Sequence, residues 1–219
     1  MSRYTCELNI EEMQAQLLKF IPNLSACDNE KFIKYYQLLI EWNKRINLTA
    51  ITDPQGVASR HFADSLLSIS MIPQGAKVID IGTGAGFPGI PIKIMRPDIK
   101  LTLLDSLNKR IIFLNSVLDE LNIEAHTLHL RAEDGAKLRE LRESFDIVTS
   151  RAVANASKIA EWTVPFVKVG GSSLLYKGPG IEDELKDAVE IFKKLHVNMQ
   201  VHHFKREWGD RCIVELKKY

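Results

Sequence analysis

Lys77-Val78-Ile79-Asp80-Ile81-Gly82-Thr83-Gly84-Ala85-Gly86-Phe87-Pro88-Gly89 is the stretch whose reading decides the fold. It opens as a short apolar run with β-branched residues, the pattern of a buried strand, and then breaks into glycines at 82, 84, 86 and 89. So many glycines in so short a run cost backbone entropy unless the chain must turn tightly and bring its backbone close to a ligand. Pro88 and Pro91 suit the first turn of a following helix, where no N–H is missed. Strand, glycine loop and helix form the opening unit of a doubly wound α/β nucleotide-binding sheet.

Two nucleotides compete for this loop. Gly84-x-Gly86-x-x-Gly89 matches the dinucleotide fingerprint, which points bare N–H groups and a helix N-terminus at a pyrophosphate. Asp80, at the strand end before the first glycine, would repel a pyrophosphate and suits a cationic ligand carrying an amino-acid group. Asp80-x-Gly82-x-Gly84-x-Gly86 resembles the S-adenosylmethionine motif of class I methyltransferases, in which the loop wraps the methionine and ribose part. The bland alternative is a glycine turn with no ligand. The carboxylate favours the methyltransferase reading.

At 219 residues the chain accommodates one α/β domain and a smaller appendage, expected as 71–219 for cofactor binding and 1–70 for a helical subdomain. The composition, 45% hydrophobic and 26% charged, is that of a globular protein. No apolar run approaches the ~20 residues of a membrane helix, and no signal-peptide pattern opens the chain. Cys6, Cys27 and Cys212, odd in number and far apart, suggest reduced thiols in a cytoplasmic protein. The net charge of +1 means that a nucleic-acid partner would be held by a local basic patch or met as a folded particle.

Residues 1–70 carry three helix signals and no strand signal. Asn9 with Glu12 caps a first helix with Met13, Leu17 and Leu18 on its apolar side, and Pro22 stops it. Asp28 caps a second helix running through Trp42, with Phe32, Tyr35, Tyr36 and Leu39 on its stripe; these aromatics read as core, with base stacking as the alternative. Asp53-Pro54 opens a third, with Ala58, Phe62, Leu66 and Ile69 at helical spacing. Between the second and third, Trp42 to Thr49 reads as a turn in which Lys44, Arg45 and Asn47 could grip RNA phosphates, as could Arg60 and His61 on the third helix. A solvated face with side-chain caps is the competing account, and a plain intrahelical hydrogen bond explains His61 with Asp64.

From Met71 strand and helix signals alternate. Strand two, Ile99 to Leu104, ends in Asp105, an acidic residue placed to hold a ribose diol under either nucleotide reading. An amphipathic helix follows with Ile112, Phe113, Val117 and Leu121 inward. Strand three, Glu124 to Leu130, leads to Ala132-Glu133, where class I methyltransferases commonly face the adenine amino group; helix capping by Glu133 or Asp134 is the alternative. Strand four, Phe145 to Thr149, ends in Ser150-Arg151-Ala152 at the ligand edge, and strand five, Gly171 to Tyr176, ends in Lys177-Gly178. A final helix and a hairpin, Val197 to Lys205 and Cys212 to Leu216, complete the chain, and no metal-ligand spacing is present.

Asn47-Leu48-Thr49, His61-Phe62-Ala63-Asp64-Ser65-Leu66, the run Asp80 to Gly89, Ser150-Arg151-Ala152 and Lys177-Gly178 together resemble the glucose-inhibited division protein B family, over essentially the whole chain. The resemblance implies a class I S-adenosylmethionine-dependent methyltransferase sheet, small-subunit (16S) ribosomal RNA or the small subunit as substrate, and guanine N7 as target. It places Gly82, Phe87, Ala132, Glu133 and Arg151 at the cofactor, where the loop and strand readings above already put Asp80, Gly84, Gly86 and Asp105; Ser150 and Arg151, at the ligand edge of strand four, are assigned to the chemistry. Lys44, Arg45, Asn47, Arg60, His61 and Lys177 would meet RNA, and a monomer without metal is expected. A small-molecule or protein methyltransferase, a non-catalytic binder of the cofactor or RNA, and a nicotinamide oxidoreductase are the alternatives.

Overall fold

The computed structural model describes residues 9–151 and 154–219, so the expectations placed on Cys6 and Ala152 lie outside the described residues. The strands are β1 (Lys77–Ile81), β2 (Lys100–Asp105), β3 (His126–His129), β4 (Phe145–Ser150), β5 (Val167–Lys177), β6 (Val197–Phe204) and β7 (Arg211–Lys218). They form one seven-stranded sheet in the order β3-β2-β1-β4-β5-β7-β6, parallel through β5, with β7 antiparallel to both β5 and β6. The doubly wound sheet with an antiparallel C-terminal hairpin is thus the observed one. Its order reverses between β1 and β4, so the crevice for a ligand opens beyond the carboxyl ends of those two strands.

The helices are α1 (Ile10–Phe20), α2 (Ala26–Ile46), a short α3 (Pro54–Gly56), α4 (Gly89–Met95), α5 (Asn108–Glu120), α6 (Ala132–Gly135), α7 (Ala156–Thr163) and α8 (Glu182–Lys194). The Asn9 side chain accepts from the Glu12 N–H and donates to its carboxylate, fixing the start of α1. Leu18 is exposed, and α1 packs instead on the buried Met13 and Leu17 with the partly buried Phe20. Ser25, not Asp28, caps α2; Asp28 takes the N3 position and its side chain accepts from the Ser25 hydroxyl at 2.6 Å. The helix then runs on to Ile46 and ends at Asn47 in the left-handed conformation, φ 47°.

Asp53 caps α3 as expected, accepting from Gly56 N–H at 2.7 Å, but the chain widens at once into a π-helix over Val57–Ala63 and tightens to a 3₁₀ turn over Leu66–Met71. A π turn holds more residues than an α turn and so advances the buried face. That is why Val57, Ala58, Phe62, Ala63 and Leu67 are buried, while Leu66 and Ile69 are only partly so. On α5, Ile112 is exposed and Ile111 and Leu114 are buried instead, because the helix leans toward α2, where Trp42 meets Phe113 edge-on at 5.7 Å.

The helices of residues 9–71 cover one face of the sheet together with α4 and α5. A single apolar cluster runs from Met13, Phe32 and Tyr35 through Phe87 and Ile90 to Leu103 and Ile213. Helices α6, α7 and α8 cover the other face. Burying Phe32, Tyr35 and Tyr36 in that cluster settles the aromatics of α2 as core. No helix among the described residues is long and apolar enough to cross a membrane. Cys27 is an exposed free thiol, and burial pushes the Cys212 thiol up to about 11.

Candidate active site

After β1 the chain crosses to β2 through backbone bonds from Gly82 and Thr83 N–H to the Leu104 carbonyl, at 2.9 and 3.2 Å. The loop then turns through positive φ at Gly82, Gly84 and Gly86. Gly84 N–H donates to Asp105 Oδ2 at 2.9 Å, and Asp105 also holds Leu107 N–H and the Arg110 guanidinium. Above this loop lies a cavity of about 520 Å³ bordered by Thr49, His61, Gly84, Phe87, Asp105 and Arg151. Beside it, a slot of about 210 Å³ is lined by Gly82, Leu104, Leu130, Ala132, Glu133 and Trp162.

Asp80 does not face either space. It is wholly buried; Oδ2 accepts from Thr83 Oγ1 at 2.6 Å and Gly89 N–H at 3.1 Å, and Oδ1 accepts from Thr149 Oγ1 at 2.9 Å. The expectation of a direct cofactor contact is therefore corrected: Asp80 clasps the two ends of the loop to β4. Burial pushes its carboxyl up to about 6 against those three hydrogen bonds. Ser150 is corrected likewise, since its buried hydroxyl donates to the Ile81 carbonyl at 3.0 Å and ties β4 to β1.

Arg151 borders the cavity over the glycine loop and a second one of about 440 Å³, which Ile51, Asp64 and Tyr176 also line. Nη1 donates to the Arg60 carbonyl at 3.0 Å and pairs with Asp64 Oδ2 at 3.4 Å, and the guanidinium lies 5.0 Å over the Phe87 ring. Nη2 lies 3.3 Å from His61 Nδ1. A guanidinium only donates, so Nδ1 is the acceptor and the proton sits on Nε2, 2.7 Å from Thr49 Oγ1. Burial, aided by Arg151, pushes His61 down to about 3 and keeps it neutral. His61 also stacks on Phe87 at 4.5 Å. It is a wall of the cavity rather than a phosphate ligand on the surface, and bonds to Thr49 and Arg151 replace the expected one to Asp64.

Asp64 carries a role that its position in the sequence does not suggest. It is 4% exposed and accepts from Arg151, from Arg211 Nε at 2.9 Å and from Trp208 Nε1 at 3.3 Å. One carboxylate thereby joins the π-helix, the end of β4 and the C-terminal hairpin. Trp162 is the other unforeseen member; its Nε1 donates to Glu133 Oε1 at 2.8 Å across the slot. Glu133 and Asp134 do not cap α6, whose N-cap is Arg131.

The remaining RNA-facing expectations divide. Lys44, Arg45 and Arg60 are exposed, with Arg45 paired to Glu41 at 3.6 Å, but the first two belong to the last turn of α2 and not to a loop. Asn43 and Thr49 build the bend that follows: the Asn43 side chain bonds Leu48 N–H, Thr49 N–H and the Thr49 carbonyl. Asn47 is exposed in its left-handed cap. Lys177 is largely buried and bonded to Glu184 and the Ala154 carbonyl at 2.7 and 2.6 Å, and it lines a cavity together with Arg60, His61 and Arg151.

The residues present fit S-adenosylmethionine. A Cβ built on Gly82 meets no atom within 4 Å, so the loop presents open backbone to the space above it. Asp105 stands at the carboxyl end of β2, the place of a ribose carboxylate. The slot pairs apolar Leu104 and Leu130 with the Glu133 carboxylate, suiting a flat ring that bears donors.

Asp80 and His61 have opposite linkage to stability. The raised Asp80 carboxyl contributes stability below about pH 4 that is lost as pH rises to 6, whereas the depressed His61 contributes stability that is lost as pH falls from about 6.5 toward 3. Between pH 4 and 6 the two offset one another. Asp80→Asn removes only the first, so thermal melts between pH 6.5 and 4 should show the variant losing about 2–3 kcal/mol more on acidification than the parent protein. Parallel melting curves would mean that Asp80 ionises as an ordinary carboxylate.

Residues 28–214 match the family model described as rRNA small subunit methyltransferase G. Curated relatives include the ribosomal RNA small subunit methyltransferase G of Desulforamulus reducens, 54% identical over 193 residues, covering 85% of this chain and 80% of that protein. The protein of the same name from Clostridium perfringens is 52% identical over 176 residues, 74% of each chain. Among solved structures, a methyltransferase from Pyrococcus furiosus superposes with a TM-score of 0.59 at 15% identity, covering 87% of this chain and 98% of that one. An S-adenosylmethionine-dependent O-methyltransferase from Thermotoga maritima gives 0.56 at 13% identity, covering 83% and 71%. At such identities the two structures speak to the fold alone.

Proposed function

We propose, from the premise that the chain belongs to the rRNA small subunit methyltransferase G family of S-adenosylmethionine-dependent 16S rRNA methyltransferases, that it methylates N7 of one specific guanine. The observation that carries the choice of N7 is the state of the groups around Arg151. Asp64 is held by two arginines and an indole, and His61 is neutral with both ring nitrogens engaged. Among these described residues none stands ready to take a proton. Guanine N7 needs no such group, because its in-plane lone pair is free near neutral pH and no proton leaves the ring.

When bound, S-adenosylmethionine supplies a methyl group on a sulfonium. The chain's own part is then to position and to exclude water. Asp105 and Glu133 are assigned to the ribose and adenine, and the Gly82–Gly86 backbone to the amino-acid end. Arg151 borders this space with its charge balanced by Asp64. A cation against the ring would oppose formation of the cationic product, so Arg151 is assigned to a carboxylate, a phosphate or a carbonyl. Residues 1–70 form the RNA-facing part, with Lys44, Arg45 and Arg60 as phosphate contacts. The enzyme acts as a monomer in the cytoplasm, where small subunits are found, and the transfer needs no metal.

The test offers methyl-labelled S-adenosylmethionine with naked 16S rRNA, assembled small subunits or a small-molecule extract. Label in RNA or subunits is expected, and label in the extract alone would overturn the reading.

A further inference from the structure

A hollow of about 680 Å³ that the methyl-transfer site does not use lies between the end of α1 and the turn from β6 to β7. Leu66 and Ile69, the side chains that the π turn moves off the buried face, border it as well. Among the described residues around it, Lys19, Lys205 and Arg206 are cations and Glu207 is the carboxylate, all four exposed. Glu207 is taken by Lys19 at 2.9 Å, and Lys205 and Arg206 form no ion pair among the described residues. Phe20 and Trp208, edge to face at 5.5 Å and each partly exposed, border both this hollow and a second one of about 320 Å³. Arg60 borders that second hollow and also the 440 Å³ cavity beside Arg151. Asp53 lines the second hollow too, but it is committed to the Gly56 N–H as the cap of α3.

We propose that the two hollows form a track for a single-stranded stretch of the substrate RNA flanking the target, with Lys205 and Arg206 on its phosphates and the Phe20 and Trp208 rings against its bases. This rests on the 16S rRNA substrate of the reading above. A single strand offers unpaired ring faces and a charge at every nucleotide, and cations interleaved with aromatic rings are the surface that grips it. A duplex hides those faces in its own stack, and an acidic protein segment would match the cations alone. Trp208 is fixed before RNA arrives, because its Nε1 donates to Asp64 at 3.3 Å, so little ordering opposes the contact. The same Asp64 pairs with Arg151, which sets the distance from the hairpin turn to the crevice. Arg60, exposed along the way, gives the strand a further cation between the two. The C-terminal hairpin turn thereby joins residues 1–70 in facing RNA.

Both cations lie on an exposed turn, so replacing them together as Lys205→Ala/Arg206→Ala tests the track without disturbing the core. The fall of log affinity for naked 16S rRNA with log salt should become shallower by about 1.4, the share of two single-strand phosphates. KM for small subunits should rise about tenfold, with kcat and the calorimetric Kd for S-adenosylmethionine within about twofold of the parent values. An unchanged salt slope with an unchanged KM would overturn the track. A raised KM for subunits with an unchanged slope on naked rRNA would also overturn it, because the partner on this surface would then be a ribosomal protein. A parent protein that binds neither naked rRNA nor subunits would overturn the substrate reading together with the track, whereas a parent that labels RNA beside an unaffected double variant overturns the track alone.

Discussion

Arg151→Ala is expected to lower the single-turnover rate of methyl transfer about 100-fold or more while leaving the fold intact. The side chain touches the Arg60 carbonyl, Asp64, His61 and the Phe87 ring, and it lines two cavities at the sheet's crevice. Its removal merges those spaces and frees the His61 ring on one side, so reacting groups lose their fixed separation. The fold should survive because Asp64 keeps Arg211 and Trp208 as partners. Melting temperature should fall by only about 2–6 °C, corresponding to about 1–2 kcal/mol for a chain of this size. Arg151→Lys is expected to remain impaired, since an ammonium cannot span Asp64, the Arg60 carbonyl and His61 at once. Near-parental turnover of Arg151→Ala would remove the residue from the site.

The other large effect separates two glycines that look alike in the sequence. At Gly86, φ is +93° and an added Cβ would lie 2.6 Å from both Ile90 Cδ1 and the Tyr35 hydroxyl, which are fully buried. Gly86→Ala therefore combines backbone strain with overpacking, about 2–5 kcal/mol together, and should lower the melting temperature by roughly 5–15 °C. At Gly82, φ is +66° and the added Cβ would meet only open cavity. Gly82→Ala should cost about 1–2 kcal/mol of strain but raise the cofactor Kd about tenfold or more, because the methyl occupies space the ligand needs. Thermal melts and calorimetry on the two variants give the comparison. Unchanged cofactor affinity in Gly82→Ala would mean that the ligand does not approach the loop there.

The glycine loop is legible because its signal is local: strand, turn and the start of the helix lie within thirteen consecutive residues, and Asp105 follows from the spacing of the next strand. Asp80 is legible as important but not in its direction. A side chain next to a ligand loop can point into the ligand space or back into the sheet, and only the hydroxyls of Thr83 and Thr149 show that it points back. Sequence pattern puts Lys44 and Arg45 on a loop because the left-handed Asn47, which ends the helix later than its apolar stripe does, leaves a weak mark in sequence. The π turn moves Leu66 and Ile69 off the buried face for a similar reason, since helical spacing assumes one pitch throughout. The Asp64 cluster cannot be read from sequence at all. Its partners Trp208 and Arg211 are 144 and 147 residues away, and no spacing rule connects a hairpin turn with a helix that far upstream.

The measurement that bears most directly on the function is the identity of the methylated nucleoside. Assembled small subunits and naked 16S rRNA would be incubated with the protein and methyl-labelled S-adenosylmethionine, and the RNA digested to nucleosides and separated. Label confined to 7-methylguanosine is the predicted result, with its rate of appearance about 100-fold or more lower when Arg151→Ala replaces the parent protein. Label in a base methylated at an exocyclic amine or in a 2′-O-methyl ribose would contradict it, because those acceptors must lose a proton that no described group around Arg151 is placed to take.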